Sequence, residues 1–279
     1  MLINNRILLR SAGGTITDVS KELTDFHANT KTITLPAADG ALYLGSDLPF
    51  NHRFIDINTV NANTSVLDVK VWDGSTFVAV VDTIDETDSA GVAFAKSEIL
   101  SWTKDRDTSW TREDTTEDIP ELSTITIYDL YWAKITWSLD LNALTLNYIG
   151  HNFTSDDEFG SLYPTLNSSN VKDQFESGKT DWKEQQIEAA ERIIKWLRRN
   201  ERIFSVNQLM NWDIFADAAR HATASIIFRE LGDDFISDRE RAEDDYNDAI
   251  NLKNFQVDLN RDGRPNIAEK RQTTRFRRI

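Results

Sequence analysis

The clearest chemistry in this chain lies in the run DLNRDGRPNIAE near its C-terminus. Asp258, Asn260, Asp262, Arg264, Asn266 and Glu269 stand at positions 1, 3, 5, 7, 9 and 12 of that run, with Gly263 at position 6. A calcium ion takes about six to eight hard oxygens. A sharply turning loop supplies them from alternate side chains, from the backbone carbonyl of position 7 (here Arg264), and from a bidentate acid at position 12 (here Glu269). Gly263 permits the turn. The spacing predicts a Ca2+ site. The plain alternative is a polar Asx-rich turn that holds its shape through its own side-chain hydrogen bonds.

Pro265 occupies the position where a paired EF-hand carries a β-branched residue facing a second loop, and the sequence has no second loop. The run resembles the solitary calcium loops of thrombospondin-type or dockerin-like repeats. It is followed by KRQTTRFRRI. Lys270, Arg271, Arg275, Arg277 and Arg278, with Phe276 and Ile279, make a basic, acid-free tail. Such a tail is expected to dock on an acidic partner, a neighbouring subunit or phosphate.

Other chemistry is weaker. His27, His52, His151 and His221 are far apart and share no ligand spacing. His221 is read as a packed polar residue, because no Ser, Cys or acid motif accompanies it. There is no phosphate loop, dinucleotide fingerprint, HExxH or GxSxG. The acidic clusters Glu113, Asp114, Glu117, Asp118 and Asp156, Asp157, Glu158 read as solvated loops rather than paired catalytic carboxylates. Trp72, Trp102, Trp110, Trp132 and Trp137 invite a sugar-stacking reading, but rings in β-rich folds are mostly core. No catalytic residue is expected.

Composition bounds the rest. The 279 residues suffice for one large or two ordinary domains. A formal charge of −15 argues against a surface that binds nucleic acid throughout, and suits one that passing DNA does not stick to. The absence of cysteine removes disulfides, thiolate metal sites and Cys nucleophiles. The N-terminal MLINNRILLRSAGG, interrupted by Arg6 and Arg10, is a poor signal peptide, and no stretch has transmembrane length.

Two structural patterns must position these groups. Residues 41–150 alternate in short β-branched and aromatic runs: ALYLGS, RFIDIN, SVLDVKVW, TFVAVV, STITIYDLYWAKITWSLD and ALTLNYIG. Asp73-Gly74 predicts a hairpin turn between the third and fourth. Residues 181–257 read as three amphipathic helices. Asp181 with Glu184, and Ser237 with Glu240, predict capping boxes. Phe215, Ala219, Ala222 and Ile226 form one stripe, and Gly232 predicts a helix stop. The expected fold is α+β in two domains, an antiparallel β-sandwich and then a helical bundle with an extended tail. Residues 1–40 are expected as an arm, 41–150 as the sandwich, 151–180 as a linker, 181–257 as the helical domain, and 258–279 as the loop and tail.

The helical part, on TDWKEQQIEAAERIIKWLRRN, DAARHATASIIFRELGDD and SDRERAEDDYNDAINLKNF, resembles the head–tail connector (adaptor) proteins of tailed bacteriophages. The shared pattern is a helix, a small-residue helix, a charged helix with an aromatic residue in its middle, and an extended tail. The resemblance implies a homo-oligomeric ring, commonly twelvefold, beneath the portal protein. It implies other neck or tail partners, genomic DNA passing without sequence-specific contact, no membrane, synthesis in the host cytoplasm and residence in the virion neck. The tail Lys270–Ile279 would reach the portal or a neighbouring subunit. The β-region departs from the minimal, all-helical family. The other reading is a tail or baseplate protein whose sandwich binds a carbohydrate or receptor. A calcium-dependent adhesin fragment is a third.

Overall fold

A computed structural model of the chain describes residues 5–26, 31–33, 40–103, 110–141, 144–251 and 255–257. The fold is mixed α and β, with antiparallel sheets preceding most of the helix, as expected. In chain order the elements begin with β1 (Arg6–Arg10), β2 (Ile16–Asp18), α1 (Ser20–Leu23) and β3 (Lys31–Ile33). Then come β4 (Ala41–Ser46), β5 (His52–Thr59), β6 (Leu67–Trp72), β7 (Phe77–Ala79), β8 (Val81–Asp85), β9 (Glu98–Thr103), β10 (Arg112–Thr115), β11 (Tyr128–Trp137) and β12 (Leu144–Gly150). The helices α2 (Asp156–Leu162), α3 (Ser169–Phe175), α4 (Lys183–Arg199), α5 (Ala216–Leu231) and α6 (Ile236–Ile250) follow. The chain divides into two compact units between Gly150 and His151.

In the first unit, one sheet runs β2-β1-β4-β11-β6-β7, with β10 on the early half of β11. A second runs β3-β12-β5-β9-β8. Period-2 alternation sends Leu42, Leu44, Val69, Val71 and Ile135 of the first sheet and Ile55, Ile57, Leu144 and Leu146 of the second into one apolar cluster. The opposite face of the first sheet buries Leu8, Tyr43, Trp72, Leu130 and Trp132 with Ile119 and Leu122. The hairpin at Asp73-Gly74 forms: Trp72 faces Phe77, the Asp73 carboxylate accepts from the amides of Ser75 and Thr76 at 2.8 Å each, and Gly74 takes φ +99°. Residues 123–140 hold a single strand, β11.

Several expectations need correction. Residues 1–40 are not simply an arm. β1 pairs with β4, Ile7 and Leu8 are buried on opposite faces, and Ser11–Gly14 is the turn of the β1–β2 hairpin rather than a flexible joint. Its two-sided burial hides the alternation that identifies a one-sided strand. Residues 151–180 are not a linker. They hold α2 and α3, and Phe159, Leu166 and Trp182 bury with Ala224, Ile227 and Ala242. At seven residues each, α2 and α3 are too short to show a helical period. The first unit ends at Gly150, where the sandwich was expected to end, and the second begins at His151 rather than at Asp181.

Neither predicted capping box forms. Trp182 and Phe235 hold the N-cap positions of α4 and α6 without side-chain caps, and Ser237 is already inside α6. Capping boxes do form at Ser155–Glu158, in the run read as a solvated acidic loop, and at Ser205–Gln208. Gly232 ends α5 at φ +101°, as expected.

Candidate functional site

The predicted calcium ligands Asp258, Asn260, Asp262, Arg264, Asn266 and Glu269, and the tail residues Lys270, Arg271, Arg275, Phe276, Arg277, Arg278 and Ile279, lie outside the described residues, as does His27. The residues just before the loop are described, and they are pinned. Val257 bridges antiparallel to Leu209, and the Met210 amide donates to the Gln256 carbonyl at 3.1 Å. The Gln256 amide donates to Asn211 Oδ1 at 2.7 Å, and Phe255 packs edge-on against Phe215. The chain therefore enters the loop from a fixed point on the helical unit. Among the described residues, no cluster of His, Asp and Glu has metal-ligand geometry.

The helical unit is organised around α5. Its Ala218, Ala219, Ala222, Thr223, Ala224, Ser225, Ile226 and Ile227 are all buried. The small side chains let α4 and α6 approach its backbone, and Ile187, Ala190, Ile193 and Leu197 of α4 fill the seam. Ala242, Tyr246 and Ile250 of α6 repeat at helical spacing and bury on the same centre.

Where α4, α5 and α6 meet the surface they line an open polar cavity of about 580 Å³, bounded by Arg192, Ser225, Arg229, Arg239, Glu240, Glu243 and Asp244. Its floor is a bonded set. Arg192 donates to Glu243 Oε1, Ser225 Oγ donates to Glu243 Oε2 at 2.9 Å, and the Arg192 guanidinium lies over the Tyr246 ring. Burial pushes the Glu243 carboxyl up, but the hydrogen bonds from Arg192 and Ser225 outweigh it and hold the group below the usual range. Arg229 spans Glu188 and Glu230 at 3.3 and 2.9 Å. Glu240 and Asp244 stay exposed. With both signs on its walls, this surface suits a protein partner better than a ligand of a single charge.

The remaining candidates resolve into packing. His221 is half-buried, with Nδ1 2.8 Å from Tyr163 Oη, and burial lowers its pKa against the pull of Asp245 and Asp217. Of the first acidic cluster, Glu113 accepts from Trp72 Nε1 at 2.5 Å and Glu117 from Thr126 Oγ1 at 2.9 Å. Of the second, Asp156 is a hub. Its Oδ1 accepts from the Trp182 amide at 3.0 Å and from Gln186 Nε2 at 2.8 Å, and Lys172 Nζ lies 3.6 Å from Oδ2. Burial raises its pKa despite those contacts. Trp72, Trp102, Trp132 and Trp137 are buried in the first unit, and Trp110 is half-buried with Nε1 donating to the Trp132 carbonyl at 3.1 Å. Four of these five rings offer no face for a sugar.

No family model matches the chain, and neither a curated protein nor a solved structure matches it. Among the described residues, no helix is long and apolar enough to cross a membrane. Sequence reasoning passed over Arg192, Ser225 and Glu243. The available signal was modest: Glu243 precedes the buried Tyr246 by three positions, but nothing local announces the arginine that reaches it from another helix.

Proposed function

We propose that this chain is a structural subunit of a tailed-phage particle, a head–tail connector that assembles as a ring beneath the portal and lets DNA pass. The observation that carries the reading is the helical unit. An amphipathic α4, a small-residue α5 and a charged α6 with Tyr246 in its latter half follow one another in the chain order of the connector pattern, which supports the reading. The paired sheets of the first unit are read as an added sandwich that contacts neighbouring virion proteins. The mechanism is assembly rather than catalysis. Net negative charge on the channel wall keeps DNA from adhering. A heterologous contact whose rotation closes makes a ring. The basic tail locks the ring to its partner, and a calcium-filled loop fixes where that tail leaves the helical unit.

The test is direct. Negative-stain images of the purified full-length chain, alone and with portal protein, are expected to show rings. Truncation of Lys270–Ile279 is expected to leave circular dichroism unchanged and abolish joining to the portal. Incorporation of the truncated chain into full particles sinks the tail's role. A chain that stays monomeric with and without portal sinks the connector.

A further inference from the structure

The outer helices of the helical unit carry opposite charge. Near the end of α4, Lys195, Arg198 and Arg199 are exposed. Among the described residues, Lys195 pairs only within its own helix, with Glu191 at 2.8 Å. On α6, Glu240, Asp244 and Asp248 are exposed at i, i+4 and i+8, one stripe of the helix. Among the described residues, the side chains of Arg198, Arg199, Glu240, Asp244 and Asp248 have no hydrogen-bond or ion-pair partner.

The helix dipole explains one row and not the other. Cations suit the C-terminal end of α4. Of the acidic row only Asp248 stands in the last turn of α6, where it opposes the dipole, and no basic residue stands in that turn to relieve it. An external cationic surface would. Each row also has an apolar neighbour. Ile236, 41% exposed, begins the same α6 stripe, and Phe204, 74% exposed, follows α4 by five residues. Phe204 sits on a stiff turn. Its amide and that of Ser205 both donate to Gln208 Oε1, at 2.7 and 3.1 Å, and Ser205–Leu209 are buried beneath it. An aromatic anchor rimmed by charge is the usual composition of a protein contact.

We propose that copies of this chain associate head to tail, with the basic end of α4 and Phe204 of one copy seated on the acidic α6 stripe and Ile236 of the next. The occupant is a second copy because the same unit presents, at the exposed end of α4, a cationic row complementary to the acidic one. As proposed, each copy uses its two patches on two different neighbours, a heterologous contact that generates a closed or open array; light scattering that stops at two copies would instead mean reciprocal two-fold pairing and overturn the head-to-tail arrangement. The proposal rests on the ring reading and supplies its interface.

The experiment uses the full chain in sedimentation and light scattering, at low and high salt. Wild type is expected to assemble, more weakly as salt rises. Glu240→Lys with Asp244→Lys, or separately Lys195→Glu with Arg198→Glu, is expected to raise the concentration needed for assembly roughly tenfold or more. All four substitutions together are expected to restore it. Circular dichroism confirms that each variant folds. If wild type assembles and neither reversal weakens it, this interface is wrong while the ring stands. Wild type that is monomeric at every concentration overturns this interface, and if it stays monomeric with portal protein added it overturns the ring as well.

Discussion

The guanidinium carbon of Arg192 on α4 sits 4.0 Å from the centre of the Tyr246 ring on α6. One side chain thus stacks on the aromatic residue of the charged helix and holds the Glu243 carboxylate beside it. Both partners of the ion pair are about a third exposed, which limits what the pair contributes. Replacing Arg192 by Ala is expected to lower stability by about 1–2 kcal/mol, most of it from the lost stacking and packing. Urea unfolding measures this, and Arg192→Lys should recover only part, since an ammonium cannot stack as a plane.

The same pair sets a pH dependence. A group with a depressed folded pKa contributes stability above its unfolded value, and loses it as pH falls through the folded one. For Glu243 the upper edge is the ordinary 4.5. Glu121 behaves alike: hydrogen bonds from Lys134 and Tyr43 outweigh the burial that would raise it. Wild-type stability is therefore expected to fall below pH 4.5. Arg192→Ala should flatten part of that acid limb, and an unchanged slope in denaturation series across pH 3–6 would refute the assignment.

Gly45 faces Trp132 directly across β4 and β11. A Cβ there would meet the indole at 2.8 Å and Leu130 at 2.9 Å, in a face that is fully packed. Gly45→Ala is expected to cost about 1–3 kcal/mol through overpacking. Thermal unfolding checks it, and a neutral result would mean that the ring has room to move.

Asp156 distinguishes charge from hydrogen bonding. Its raised pKa means that the ionised form is disfavoured by burial, so stability from this group falls as pH rises from the unfolded to the folded value. Asn keeps an acceptor for the Trp182 amide and removes the buried charge. Asp156→Asn is expected to change stability at neutral pH by less than about 1 kcal/mol, whereas Asp156→Ala orphans the amide and costs about 1–3 kcal/mol. Equal losses in the two variants would contradict this.

For the loop, calorimetry of the full chain is expected to show one calcium site that Asp262→Ala removes, since a position-5 carboxylate is hard to replace. No heat from wild type at millimolar calcium leaves the Asx-turn explanation in place.

Much of this architecture was readable wherever burial is one-sided. The alternation of Leu67, Val69 and Val71 and the Asp73-Gly74 turn predicted a hairpin that forms, and the stripe of Phe215, Ala219, Ala222 and Ile226 predicted a packed helix face that is buried. Legibility failed where two faces are buried, as at Ile7 and Leu8, and where helices are only two turns long, as in α2 and α3. The capping boxes failed for a different reason. Trp182 and Phe235 hold the N-cap positions, so Asp181 stands one residue before its cap and Ser237 two residues past its cap, and neither completes a box. The Arg192–Glu243 floor was not readable at all, because it joins residues 51 positions apart whose types are common on any helical surface.

The strand order carries a consequence for synthesis. β11 lies between β4 and β6, and β12 between β3 and β5, so each sheet receives an inner strand only near the end of the first unit. A ribosome adding about 5–20 residues per second leaves β4 and β5 without those partners for about 5–20 s after they emerge. For that interval their apolar residues are open to neighbouring chains on the same message. The chain is thus most vulnerable while it is being made, and its yield should respond to translation speed and to chaperones that hold extended chains.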